Sequence, residues 1–319
     1  MDEAARFPLW NRHDTFVLLR LPVAVAIAWL TDEPAWDRVA ARIARRRSAV
    51  RPDYAGLAEA VRSMMGARLD EHAIRGVVAE AIANYRLRQL QILRCWRPGG
   101  WHPRTRIVGR HHLEQARADG RGAILWVVPF VFASLVSKAS LAQDGFALHH
   151  LSRWFHGNSR SRLGVALLNR IQQRAEEKFL AGRVVIEPDQ SPVAATRRLA
   201  ALLRANQIVS ITVGPEGAAR LGSDLLEGRI EVANGAVKLA RQSGAPLLPT
   251  FTLREPDGSF TTTIEAPVPP AALAGVGTDA VAVLAAGIER HVLRAPGQLM
   301  WLDPILQRPQ RSAAARAVA

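Results

Sequence analysis

The groups able to move a proton or hold a charge are unevenly placed along this chain. His149 and His150 adjoin at the end of the apolar run Phe146 to Leu151, and no other histidine lies between His112 and His149. An imidazole at the carboxyl end of a parallel strand can take a proton from a bound hydroxyl or amine, because its unperturbed pKa is near neutral and neighbouring strand ends share one crevice. The same pair also fits strand-end side chains bonded to backbone or solvent. Glu216 stands in Val213-Gly-Pro-Glu-Gly217, where Gly214 and Gly217 allow a close backbone approach to a ligand. A substrate-positioning acid and a plain turn glutamate fit that loop equally well. Arg160 and Arg162 follow His156 in a polar loop, and their forked guanidinium groups match phosphate oxygens. Ser134 and Lys138 have the i, i+4 spacing of one helix face, a spacing that helices supply by chance.

These residues need a scaffold, and from Ile107 onward the sequence writes one in short apolar runs separated by helical patterns. Ala123 to Val128, Phe146 to Leu151, Arg183 to Ile186, Ile208 to Val213 and Pro246 to Leu253 read as strands, with Phe260 to Glu265 as an antiparallel edge strand. Arg162 to Leu180, Ala194 to Ala205, Ile230 to Gln242 and Thr278 to Leu293 read as helices. The alternation predicts an α/β unit with a mixed, mainly parallel sheet flanked by helices over residues 104–306. Residues 1–98 carry only helical signals, at Asp37 to Arg47, Tyr54 to Ala67 and Glu71 to Trp96. Pro98-Gly-Gly-Trp-His-Pro103 breaks the chain before the α/β unit, and residues 307–319 read as a flexible basic tail.

Of the 319 residues 49% are hydrophobic, enough to fill a sizeable core, and the net charge is +14 with a pI near 11.4. The surface this chain meets is therefore anionic: acidic phospholipid, an acidic carrier protein or nucleic acid. Nucleic acid ranks last, since no recognition motif accompanies the charge. A single cysteine, Cys95, excludes an internal disulfide or a multi-cysteine metal site and reads as a small buried hydrophobe. The apolar segment Phe16 to Leu30 is interrupted by Arg20 and Pro22, so it suits lying on a membrane better than crossing one. Together with Arg38, Arg42 and Arg45 to Arg47 it suggests a helix pair apposed to anionic headgroups. Trp29, Trp36, Trp96 and Trp101 fit either the membrane interface or the core.

Several segments, taken in order, resemble the lysophospholipid acyltransferase superfamily, in particular its late lipid A biosynthesis branch. They are Ile107 to Leu125 as the entry to the first strand, Val213-Gly-Pro-Glu-Gly217 as the Pro-Glu-Gly loop, Asn234 to Pro249 as the closing helix and strand, and Pro296-Gly-Gln-Leu-Met-Trp-Leu-Asp303 as the C-terminal signature. The resemblance implies a glycerolipid acyltransferase-like fold and transfer of an acyl chain from an acyl carrier protein or coenzyme A thioester to a membrane lipid. It implies no bound cofactor or metal, the thioester being a co-substrate, and a peripheral place on the cytoplasmic face of the inner membrane. Glu216, Gly217, Arg160 and Arg162 then become substrate-binding residues.

One departure matters for the chemistry. Such enzymes carry a histidine followed five positions later by an acid, the imidazole deprotonating the acceptor and the carboxylate orienting it. Those positions here are Pro129 and Ser134, and Asp303 stands where the C-terminal signature commonly has histidine. Two readings follow: an acyltransferase with a relocated base, for which His149 and His150 are the candidates, or a catalytically inactive relative that binds lipid or acyl carrier as a scaffold or regulator.

Overall fold

In the computed structural model, which describes residues 7–48, 53–187, 191–217 and 219–309, four helices come first: α1 (Arg12–Leu30), α2 (Glu33–Ser48), α3 (Asp53–Met65) and α4 (Glu71–Arg94). The α/β unit follows as β1 (Thr105–Val108), α5 (Arg110–Ala118), β2 (Ala123–Val127), α6 (Ala133–Gln143), β3 (Leu148–Arg153), α7 (Arg162–Glu177), β4 (Gly182–Ile186), α8 (Pro192–Arg204) and β5 (Ile208–Thr212). It continues with β6 (Arg220–Leu225), β7 (Gly228–Ala233), α9 (Gly235–Ser243), β8 (Leu247–Arg254), β9 (Phe260–Ile264), the short α10 (Pro270–Leu273), α11 (Thr278–Arg294) and β10 (Leu306–Gln307).

Seven strands form one sheet in the order β1-β9-β8-β2-β5-β3-β4, so the expected mixed, mainly parallel sheet is present. Strand β2 lies at its centre, parallel to β5 on one side and β8 on the other, and all five of its residues are buried. A strand covered on both faces needs a continuous apolar run rather than an alternating one, which is what Ala123 to Val127 supplies. Gly122 makes the entry possible: its φ is +65°, and a Cβ there would sit 2.5 Å from the Gln207 carbonyl oxygen. Helices α6 and α7 pack together, as do α8 and α9, and each pair covers the sheet through its crossover connections.

Three expectations change. Residues Ile230 to Ala233 belong to strand β7, not to a helix; β7 pairs with β6 and β10 in a second, antiparallel sheet, and the helix begins only at Gly235. The alternation was in the sequence, since Ile230 and Val232 are buried while Arg229 is exposed. Strand β9 is antiparallel to β8 but is not the edge, because β1 pairs along its outer side. Strand β3 starts at Leu148 and runs to Arg153, two residues later than expected, because the turn after α6 extends through Gly145 and Phe146.

The helical N-terminal region shares the core of the α/β unit. Ala60, Met64 and Val78 belong to the same buried cluster as Val232, Trp301 and Leu306. A bidentate ion pair from Arg254 on β8 to Asp37 on α2, at 2.8 and 2.9 Å, ties the layers together. Trp36 and Trp101 are core residues, whereas Trp96 is partly exposed. Helix α1 is continuous through Arg20 and Pro22, and its 19 residues have the length and apolar composition to cross a membrane. Phe16, Leu18, Leu19, Val23 and Leu30 are all exposed on it. The basic tail is described only as far as Pro309, and the side chains of Arg45 to Arg47 also lie outside the described residues.

Candidate active site

The carboxyl end of β2 is closed by the C-terminal segment. Pro129 is buried, and its carbonyl accepts the Met300 N–H at 3.3 Å, while Val131 N–H donates to the Gln298 carbonyl at 2.8 Å and Phe130 bridges Leu299. The chain then turns, Asp303 N–H bonding the Met300 carbonyl at 2.8 Å. Asp303 is therefore one turn away from the contact with Pro129, near the carboxyl end of β2, the end of an open α/β sheet that generally holds ligands. Its Oδ1 accepts one bond, from Ile305 N–H at 3.1 Å. Burial is the main cause that pushes its carboxyl up to about 6, and the nearby negative charge of Glu216 adds to this.

Glu216 comes from the loop after β5. It is exposed, and its Oε2 lies 2.8 Å from where a Cβ on Gly214 would be, so this glycine leaves room for the carboxylate to fold back. Gly217 is similarly tight against Ala233. Arg160 arrives from the loop after β3. Burial lowers its pKa, against which Glu216 acts to raise it, and its guanidinium bonds the Gly157 and Ser159 carbonyls while stacking over Phe155. The fold thus brings Glu216, Arg160 and Asp303 into one electrostatic group. Arg162 diverges from them: it is exposed at the start of α7, where its backbone N–H bonds the Pro8 carbonyl at 2.9 Å.

His149 and His150 are placed differently from the sequence expectation. They are the second and third residues of β3 and so lie near its beginning, not its carboxyl end. His150 pairs in register with Ser210, which pairs with Leu125, four residues before Pro129. At ~3.3 Å per residue that is ~13 Å behind the crevice along the strand. The His150 ring is enclosed, its Nδ1 is 2.8 Å from Ser210 Oγ, and burial, followed by the Lys138 charge, holds its pKa well below the ordinary value. The half-buried His149 ring sits over Gly182 of β4. Neither imidazole lines the crevice at Pro129.

Ser134 and Lys138 do share a face of α6, without forming a catalytic pair. Ser134 Oγ accepts from Arg88 Nε at 3.1 Å, whereas Lys138 Nζ reaches the Ser134 carbonyl and, at 2.9 Å, Glu176 Oε2. Glu176 on α7 is fully enclosed and also receives His156 Nε2 at 2.9 Å, Gln172 Nε2 at 2.8 Å and Arg183 Nη2 at 3.4 Å. Burial alone would raise the Glu176 pKa, but the His156 and Lys138 charges outweigh it and hold the carboxyl well below its ordinary range. Burial lowers the Lys138 pKa. This group locks α6 to α7 behind the crevice.

In the sequence Asp303 stands out only as a departure from the histidine of the C-terminal signature. The signal that could have found it was an acid inside a Trp-Leu-Asp turn next to an apolar segment; what could not be read was its proximity to Glu216.

The fold and crevice can be set against known proteins. A comparison with curated proteins gives no match. Residues 77–308 match the family described as bacterial lipid A biosynthesis acyltransferase, a stretch that covers most of α4, the whole sheet and the C-terminal turn at Asp303. Since the match spans well over half of the chain, this protein belongs to the bacterial lipid A biosynthesis acyltransferase family.

Proposed function

We propose that the protein transfers an acyl chain from an acyl carrier protein or coenzyme A thioester to a hydroxyl or amine on a lipid acceptor, with Asp303 as the proton acceptor. The observation that carries this reading is the Asp303 carboxyl near the end of β2, within electrostatic reach of Glu216 and pushed up to about 6 by burial, with Glu216 in turn acting on Arg160. A group with a pKa near the working pH is the most useful general base. The acceptor's oxygen or nitrogen attacks the thioester carbonyl as Asp303 takes its proton. The carbon–sulfur bond breaks, and the proton passes on to the departing thiolate. Glu216 and Arg160 position the acceptor's polar head. A neutral amine acceptor needs less help from the base than a hydroxyl does.

Membrane attachment belongs to the same proposal. The exposed apolar residues of α1 and the +14 charge suit an anionic membrane, on the cytoplasmic face of the inner membrane where thioester donors are available. Helix α1 is anchored to the loop before α7 through Ser161 Oγ, which donates to the buried Asp14 at 2.5 Å.

A second reading, an inactive relative that binds lipid or acyl carrier, is favoured by the buried Pro129 and its bond to Met300. The two separate in one assay: purified protein with acyl carrier or coenzyme A thioesters and a lipid extract, followed by free-thiol release. Release that falls at least tenfold in Asp303→Asn and in Glu216→Gln supports the enzyme. No release with any acceptor, with vesicle or carrier binding retained, supports the inactive relative.

A further inference from the structure

Where β3 and β4 end against α7, a cavity of about 420 Å³ opens; Pro129, Glu216 and Asp303 do not line it, and its Arg153 shares the Phe155 ring with Arg160. Its charged lining is Arg153, Arg162, Arg170 and Arg183 against Glu177 and Glu187, an excess of two positive charges. The local sequence explains the convergence. Arg183 and Glu187 project from alternate positions of β4 and its exit, and Arg162 and Arg170 lie eight residues, or about two helical turns, apart on α7.

Two lining side chains carry donors that the protein does not use. The Arg183 side chain is nine-tenths buried, yet its Nε and Nη1 have no hydrogen-bond partner; Nε is 3.5 Å from Glu177 Oε1, an ion pair without a hydrogen bond. The indole Nε1 of Trp154 is likewise buried and unpartnered. Buried donors of this kind are nearly always satisfied, so an acceptor entering the cavity gains bonds once these two side chains turn toward it.

We propose that this cavity binds a phosphate monoester, held by Arg162 and Arg170, with Arg183 and Trp154 turning their unpartnered donors toward it. The net charge of the lining matches such a group, which carries about −1.5 to −2 at neutral pH and offers three acceptor oxygens. A guanidinium places two parallel donors on adjacent phosphate oxygens. The volume leaves room for more than the phosphate, so the group is one end of a larger molecule. This site does not depend on acyl transfer at Asp303, and its readout is binding, not thiol release.

The test is calorimetric titration of the full chain in detergent with inorganic phosphate, against chloride at matched ionic strength. Saturable phosphate binding is expected, weakened at least tenfold in Arg183→Gln and in Arg170→Glu; Arg170 is exposed, so its substitution leaves the fold intact. Phosphate heats no different from chloride, or binding unchanged in both variants, would overturn the proposal. Vesicles of phosphatidic acid and of phosphatidylglycerol then identify the source. A preference for phosphatidic acid that Arg170→Glu removes assigns the site to a lipid headgroup, while phosphate binding without that preference assigns it to a soluble phosphate.

Discussion

Replacing Asp303 with asparagine should stabilise the protein, by an amount that grows with pH. The carboxyl has its ordinary value of 3.8 in the unfolded chain and about 6 in the folded protein. Between these values the unfolded state has already lost the proton that the folded state retains. Ionisation therefore favours unfolding, and stability falls as pH rises through this window. A shift of this size is worth about 3 kcal/mol once both forms are ionised, and about 0.6 kcal/mol near pH 4. Asparagine removes that cost while its side-chain oxygen still accepts the Ile305 N–H. At about 2 °C per kcal/mol, the melting temperature should rise by roughly 6 °C near pH 8 and by about 1 °C near pH 4. Thermal unfolding followed by the fluorescence of the eight tryptophans measures both. A gain of equal size at the two pH values, or none near pH 8, would refute the claim that burial raises the pKa of this carboxyl. Gain of stability with loss of thiol release is the pattern of a residue kept for chemistry at a cost to the fold.

Lys138→Met removes the ammonium from a fully enclosed carboxylate, leaving Glu176 with His156, Gln172 and Arg183. Breaking a buried ion pair on one side costs about 3 kcal/mol, so the melting temperature near neutral pH should fall by roughly 6 °C, and a fall under about 2 °C would show that the remaining partners suffice. Cys95 is buried and burial pushes its thiol up to about 12, so it should react with a thiol reagent only after denaturant is added. Labelling of the native protein within minutes would contradict this, and would also add background to the thiol-release assay.

Strand β2, the crossover helices α7 and α8 and the C-terminal helix α11 could be read directly, because each has a local periodicity that its environment reinforces. The missed elements have competing local signals. Strand β7 is followed after one residue by the helix α9, and the two apolar patterns merge into what looks like a single longer helix. Strand β1 alternates half-buried and exposed residues over only four positions, too few to stand out. The site divides along the same line. Glu216 stands out because the Gly-Pro-Glu-Gly loop marks itself, and Arg160 because it stands in a polar loop, and the fold puts the two within electrostatic reach. His149 and His150 were misplaced because a shift of two residues in a strand boundary moves a side chain from the end of β3 to its beginning.

The amino-acid order alone was enough to write the α/β scaffold and the excess of positive charge, since each is a property of residue type and near-neighbour spacing. It could not say that Glu216 lies within electrostatic reach of Asp303, that Lys138 and His156 converge on Glu176, or that Arg183 and Trp154 bury donors without partners beside a basic cavity. Those relations are made by strand order and helix packing between distant segments. The burial that shifts a pKa or strands a donor exists only once those segments have closed over one another.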